Sequence, residues 1–157
     1  MALEGAKAYL ADKGYGDRIQ IFEVSSATVE LAALAVGTEP ARIAKSLTFM
    51  VEDRPIMIIA AGDAKVNNGK YKGYFHKKDR MLTREEVNAL IGHDVGGVCP
   101  FGVKDGVDVY LDVSLKRFDK VYPACGSANS AVELTPDELY RLSGCREWID
   151  VCKIPEE

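Results

Sequence analysis

The chain has 157 residues, of which 47% are hydrophobic and 28% charged, and it carries a net charge of −4 at pH 7. That balance fits one soluble globular domain over residues 1–157 and excludes a disordered chain. No apolar run approaches the roughly 20 residues needed to cross a bilayer. The N-terminus also lacks the basic-then-apolar pattern of a secretory leader, so the expected compartment is the cytoplasm.

In chain order, residues 3–10 predict a helix stopped at Gly14, and the alternation over 18–24 predicts a strand. The hydroxyls at 25–28 offer N-caps for a helix over 29–35 that ends at Gly37, followed by a short helical turn opened by Pro40. Residues 43–51 and 55–61 are β-rich runs around a polar triplet, which predicts a hairpin. Thr83 to Glu86 forms a capping box before a helix closed by Gly92. Residues 92–106 are glycine-rich and irregular. Strands are expected over 107–111, 120–124, 132–134 and 148–153, with a helical link over 114–118. A second capping box at Thr135–Glu138, with Pro136 in the first turn, opens a helix that runs to about Gly144. This order lacks strict β-α-β alternation, so it predicts an α+β domain with a mixed or antiparallel sheet wrapped by helices.

Four cysteines occur, at 99, 125, 145 and 152, none in a C-x-x-C pair, and there are two histidines. No zinc-ligand spacing results. The expectation is four reduced thiols with two or three buried, a Cys145–Cys152 bridge being the alternative on spacing. Charge is distributed unevenly. Residues 64–80 hold six basic side chains against Asp79, a local +5 that leaves −9 for the remainder. Tyr71, Tyr74 and Phe75 are interleaved with these lysines. Such a segment can hold phosphates and stack bases, or it can simply be a solvated face.

Three places can carry chemistry. Lys45 shares a strand face with Ile43, Leu47 and Phe49, where a cation is costly unless it meets an anion or reaches water. It is either the cation of a pocket floor or a snorkelling side chain. The loop from Gly92 to Gly102 contains Gly96 and Gly97, whose backbone amides can approach a ligand unobstructed, and Pro100, which fixes the chain direction after them. Residues 124–130 form a small, polar loop after a strand. Ser127 there is in no nucleophile elbow, and neither Cys99 nor His93 has an evident catalytic partner.

Taken together, the block Ala41-Arg42-Ile43-Ala44-Lys45-Ser46-Leu47-Thr48-Phe49, the Gly96-x-x-x-Pro100 loop, and Gly126-Ser127 followed by Val132 to Leu139 resemble the YbaK/ProX family of aminoacyl-tRNA editing domains. The resemblance covers nearly the whole chain. It implies a mixed, largely antiparallel, barrel-like sheet surrounded by helices. The implied activity is hydrolysis of the ester between an amino acid and the terminal adenosine of tRNA, with no metal or cofactor. Members act inside prolyl-tRNA synthetase or as free-standing proteins, and a chain of this length is expected to act in trans on a small amino acid such as cysteine or alanine, on tRNA-Pro or a similar tRNA. Carried over residue by residue, Lys45 anchors the acceptor end and the amides around Gly96, Gly97 and Val98 face the ester carbonyl. Cys99 and Pro100 continue that wall, and Gly126, Ser127 and Asn129 line the acceptor side. Lys70, Lys72, Lys77 and Lys78 are the candidate tRNA contacts. Gly126-Ser127 lacks both the lysine associated with cysteine-clearing members and the histidine of some alanine-clearing ones, which leaves the amino acid open. The acidic remainder of the chain points to modest tRNA affinity and to help from a synthetase partner. Two rival readings stand beside this one: a non-catalytic aminoacyl-binding or regulatory module, and a hydrolase of small aminoacyl esters.

Overall fold

The hairpin expected over 43–61 is the centre of the structure, a computed structural model that describes residues 2–26, 28–92, 98–104 and 106–155. The helices are α1 (Ala2–Asp12), α2 (Val29–Val36), α3 (Asn68–Phe75), α4 (Arg84–Glu86) and α5 (Pro136–Ser143). The strands are β1 (Ile19–Ile21), β2 (Ile43–Val51), β3 (Arg54–Ala61), β4 (Lys65–Val66), β5 (Asp108–Asp112), β6 (Tyr122–Pro123), β7 (Ser130–Val132), β8 (Trp148–Ile149) and β9 (Cys152–Lys153). A five-stranded sheet has the order β6-β2-β3-β5-β8, and two small two-stranded sheets pair β1 with β7 and β4 with β9. The β2–β3 ladder is antiparallel from Ala44 opposite Ala61 to Val51 opposite Arg54, while β6, β5 and β8 join the sheet in parallel. The sheet is therefore mixed, with the antiparallel hairpin as its longest ladder.

β3 is central because Ile56, Met57, Ile58, Ile59, Ala60 and Ala61 are all buried, the continuous apolar run of a strand covered on both faces. The helices start and stop where local chemistry dictates. Thr28 caps α2 by accepting from the Leu31 N–H at 3.1 Å, and Gly37 ends it in the left-handed conformation at φ 85°. Both capping boxes form, with Thr83 and Glu86 on α4 and Thr135 and Glu138 on α5 satisfying each other's backbone donors. Past α4 the chain widens into one π-helical turn over Val87–Ile91 before Gly92 closes it.

Several sequence expectations shift. The strand expected over 18–24 is confined to β1, preceded by a 3-10 turn, and the strand expected at 132 begins at Ser130. The single last strand expected over 148–153 is two. β8 pairs with β5 in the large sheet and β9 with β4, and the break is fixed when the buried Asp112 carboxylate accepts from the Val151 N–H at 2.9 Å. Within the basic segment, Tyr71 is fully buried between Phe49 and Phe75, so it offers no face for base stacking. Three cysteines, Cys99, Cys125 and Cys152, are buried and Cys145 is half-buried, all as free thiols.

Candidate active site

β2 has β3 along one edge. On its other edge β6 pairs only with Ile43 and Ala44, and the chain around residue 81 takes over from Thr48 onward. There the Leu82 N–H donates to Thr48 O at 3.1 Å and the Met50 N–H to Arg80 O at 2.9 Å. Between these two partners the edge of β2 pairs with no other described residue, and the alternation of a strand turns the backbone N–H and C=O of Ser46 toward the gap. A cavity of about 310 Å³ occupies this region. Its walls are Ile43, Ala44, Lys45, Ser46 and Thr48 from β2; Ser26, Thr28, Val29 and Ala32 from the start of α2; Met81, Leu82, Arg84 and Val87 around α4; and Val98, Tyr122, Ala124, Ser130 and Ala131.

Lys45 is half-buried on this wall. Its Nζ donates to the carbonyl oxygens of Ala64 and, at 3.4 Å, Gly62. Burial lowers its pKa from the ordinary lysine value, with the nearby Cys152 and Asp63 pulling the other way. Among the described residues no carboxylate lies within ion-pair distance of Lys45. Among the described residues the ammonium is bonded by neutral carbonyl dipoles and has no carboxylate in direct contact. Gly62 reaches Lys45 because it packs directly beneath Pro40 and Val29. Arg84, exposed where the cavity wall meets the surface, also has no carboxylate partner among the described residues.

Two further residues of the walls have buried hydroxyls without a partner among the described residues. Ser26, only 6% exposed, and Ser46 each bury a hydroxyl oxygen that bonds to no described residue. Such a group carries the desolvation cost of an unmade bond. No Asp, Glu or His among the described residues lines the cavity, so any proton acceptor must come with the substrate or from elsewhere.

Of the sequence-derived candidates, Lys45 and Val98 line the cavity. Gly96 and Gly97 lie outside the described residues. Cys99 and Pro100 are buried behind the wall, and burial drives the Cys99 thiol pKa far up, which suits an inert core thiol. Gly126, Ser127 and Asn129 stand behind Ser130. Ser127 Oγ lies 2.8 Å from both Ser130 Oγ and Asn129 Oδ1, and Asn129 Nδ2 donates to Phe22 O. These residues support the wall and do not form it. Lys70 lies elsewhere, bonded to Asp150 at 2.9 Å and Cys152 O at 3.1 Å, and Lys77 sits 3.5 Å from Glu52, whereas Lys72 and Lys78 are exposed. Sequence reasoning missed Ser26, Met81 and Arg84, whereas Ser130 and Ala124 fall in the loop at 124–130 singled out there, and Ser46 and Thr48 in the block around Lys45, without a role assigned to them individually.

With this geometry, residues 23–142 match the aminoacyl-tRNA editing domain family, and the chain belongs to it. The Bacillus subtilis protein YwhH, described as uncharacterized, is 52% identical over 154 residues, covering 98% of both chains. The proline--tRNA ligase of a Geobacillus species is 31% identical over 133 residues, which span 82% of this chain but 23% of that enzyme. Among solved structures, a candidate trans-editing enzyme for prolyl tRNA synthetase superposes with a TM-score of 0.87 at 30% identity over 97% of both chains. The scaffold of an epitope-grafting design study matches with a TM-score of 0.86 at 27% identity over the same coverage. Among the described residues no helix is long and apolar enough to cross a membrane.

Proposed function

We propose that this protein hydrolyses the ester of a small, wrongly attached amino acid on tRNA, acting in trans. The observation that carries the reading is a half-buried lysine in the wall of a cavity, bonded only to carbonyl oxygens among the described residues, in a chain of the editing family. Likeness to proline--tRNA ligases and to a candidate trans-editing enzyme for prolyl tRNA synthetase supports tRNA-Pro as the acceptor; cysteine or alanine as the amino acid rests on the family resemblance alone.

The terminal adenosine enters the cavity past Met81 and Arg84, and the Lys45 ammonium anchors a phosphate or the ester region. Water attacks the carbonyl carbon, the bond from that carbon to the ribose oxygen breaks, and the ribose oxygen leaves with a proton. The adjacent ribose hydroxyl positions the water, since no carboxylate or imidazole lines the wall among the described residues. Backbone amides at Gly96, Gly97 and Val98 receive the developing oxyanion, each worth about 3–4 kcal/mol in such a role. The test is deacylation of tRNAs charged with alanine, cysteine, serine and proline by the protein and by Lys45→Ala. Release of one amino acid, lost in the variant, supports the reading. Binding without release supports the non-catalytic module.

A further inference from the structure

The short stretch of chain that holds the Lys45 ammonium is itself clamped from the side away from the lysine. We infer that Arg117 and Asp63 are positioning residues for Lys45: their ion pair fixes the turn whose carbonyl oxygens set where the ammonium sits. The inference deepens the editing reading and rests on it for activity, though not for the placement of the lysine.

Lys45 stands opposite Ala60 in the β2–β3 ladder. At the end of β3 the chain bends back over residues 61–64, closed by the Ala64 N–H donating to Ala61 O at 3.0 Å. Gly62 and Ala64 of this bend supply the acceptors of Lys45 Nζ. Asp63, between them, accepts from Arg117 Nη1 and Nη2 on its two carboxylate oxygens, at 3.1 and 2.5 Å. A paired fork of this kind fixes orientation as well as distance. Arg117 closes the 3-10 turn Val113–Arg117, which grips the same bend a second time, since Ser114 Oγ accepts from the Ala61 N–H at 3.1 Å. That turn is anchored in the core, where the Ser114 N–H donates to the buried Asp112 carboxylate at 2.9 Å. The guanidinium is preset as well: Arg117 Nε donates to Ser114 O at 2.9 Å, and the group lies 4.7 Å from the centre of the Phe118 ring.

The pair also governs what Asp63 does to the lysine. Asp63 is close enough to raise the Lys45 pKa against the effect of burial, as do Cys152 and Glu30, while Lys65 lowers it. A carboxylate in contact with the ammonium would meet the charge that an anionic or polarised substrate needs. With both oxygens engaged by Arg117, Asp63 stays off Lys45. As a stabiliser the pair does little, because its side chains are 33% and 27% exposed. Its effect is on the placement of Lys45.

The experiment measures the Lys45 ammonium pKa by NMR, the melting temperature, and kcat/KM on tRNAs charged with alanine, cysteine, serine and proline. It compares the protein with Arg117→Ala, Arg117→Lys and Asp63→Asn. Arg117→Ala leaves the Asp63 carboxylate unopposed, so the Lys45 pKa is expected to rise, whereas Asp63→Asn removes the carboxylate and lowers it. Both are expected to reduce kcat/KM by about 10-fold or more, the scale on which a small misplacement of an anchoring group acts. Arg117→Lys keeps the charge without the fork and should fall between. Melting temperatures should move little, which separates positioning from support of the fold; if Arg117→Ala does not fold, the other two variants carry the comparison. A Lys45 pKa unmoved in the folded variants overturns the inference whatever the rates. Shifted pKa values with deacylation intact also overturn it and leave editing standing. Opposite shifts in a protein that deacylates none of the tRNAs support the placement and remove the editing reading.

Discussion

Gly62 packs so tightly beneath Pro40 that a β-carbon at position 62 would fall deep inside the Pro40 carbonyl oxygen and 2.8 Å from Val29 Cγ1. The same glycine offers its own carbonyl oxygen to Lys45 Nζ. The close approach that demands glycine therefore also places one of the two acceptors that hold the lysine. Gly62→Ala is expected to force Pro40 and the start of α2 outward, costing about 1–3 kcal/mol of stability as overpacking does. It should lower deacylation more than the stability loss explains, because Val29 and Lys45 both line the cavity. Chemical denaturation and kcat/KM on the same preparation check both halves.

Tyr71 gives the opposite sign. Its ring is fully buried against Phe49 and Phe75, yet its hydroxyl has no partner among the described residues, and burial with the nearby Asp79 pushes its pKa up to about 12. Tyr71→Phe removes an unmade hydrogen bond and keeps the ring, so stability should stay level or rise by about 1 kcal/mol. Tyr71→Ala should cost about 3–5 kcal/mol through the cavity it leaves. Urea midpoints of the two variants check the pair.

What the sequence makes legible here is what is local. Thr28 and Gly37, both capping boxes and the β2–β3 hairpin each depend on residues a few positions apart, and each forms as expected. The break between β8 and β9 was not legible because its cause, Asp112 bonding Val151, spans 39 positions. Lys45 could be singled out because a cation within an apolar run is anomalous on its own strand. Ser26 is an ordinary serine beside other serines, and it is buried where its N–H donates to the distant Ala128 O. Of the polar loop at 124–130 that composition singles out, Ala124 and Ser130 line the cavity, while Ser127 and Asn129 bond Ser130 and Phe22.

The capping boxes contribute to how the fold responds to acid. Bonds from Arg80 and the Thr83 backbone hold Glu86 down at about 2. Burial opposes the same shift at Glu138, and bonds from the Thr135 backbone and Arg18 overcome it, again to about 2. Both folded values lie below the ordinary 4.5 of an unfolded glutamate. The unfolded chain therefore takes up protons first, and the stabilisation is complete above pH 4.5 and is lost as pH falls toward 2. Carboxyl NMR should show both groups titrating near 2. In Glu86→Gln, stability should fall less steeply between pH 4.5 and 2 than in the unmodified protein.

The basic segment supplies a last expectation, in which its lysines are not equivalent. Lys70 is already committed to Asp150 and Cys152 O, so reversing its charge should disturb β9 more than it disturbs RNA contact. Lys72 and Lys78 are exposed and form no ion pair with the described residues, and Lys77 has only the exposed Glu52 at 3.5 Å, a pairing worth little in water. From Lys77 the chain runs through Arg80 to Met81 and Arg84 in the cavity wall, so cations here lie on the way to the site. Lys72→Glu, Lys77→Glu and Lys78→Glu should each raise KM for charged tRNA several-fold with little change in kcat. Each should also reduce the slope of log affinity against log salt by about 0.7–0.9, the signature of one lost phosphate contact. Affinity titrations at several salt concentrations check this. A KM unmoved by all three reversals, with deacylation intact, would place the RNA on another face and leave Arg84 as the described cation of the cavity wall nearest to solvent.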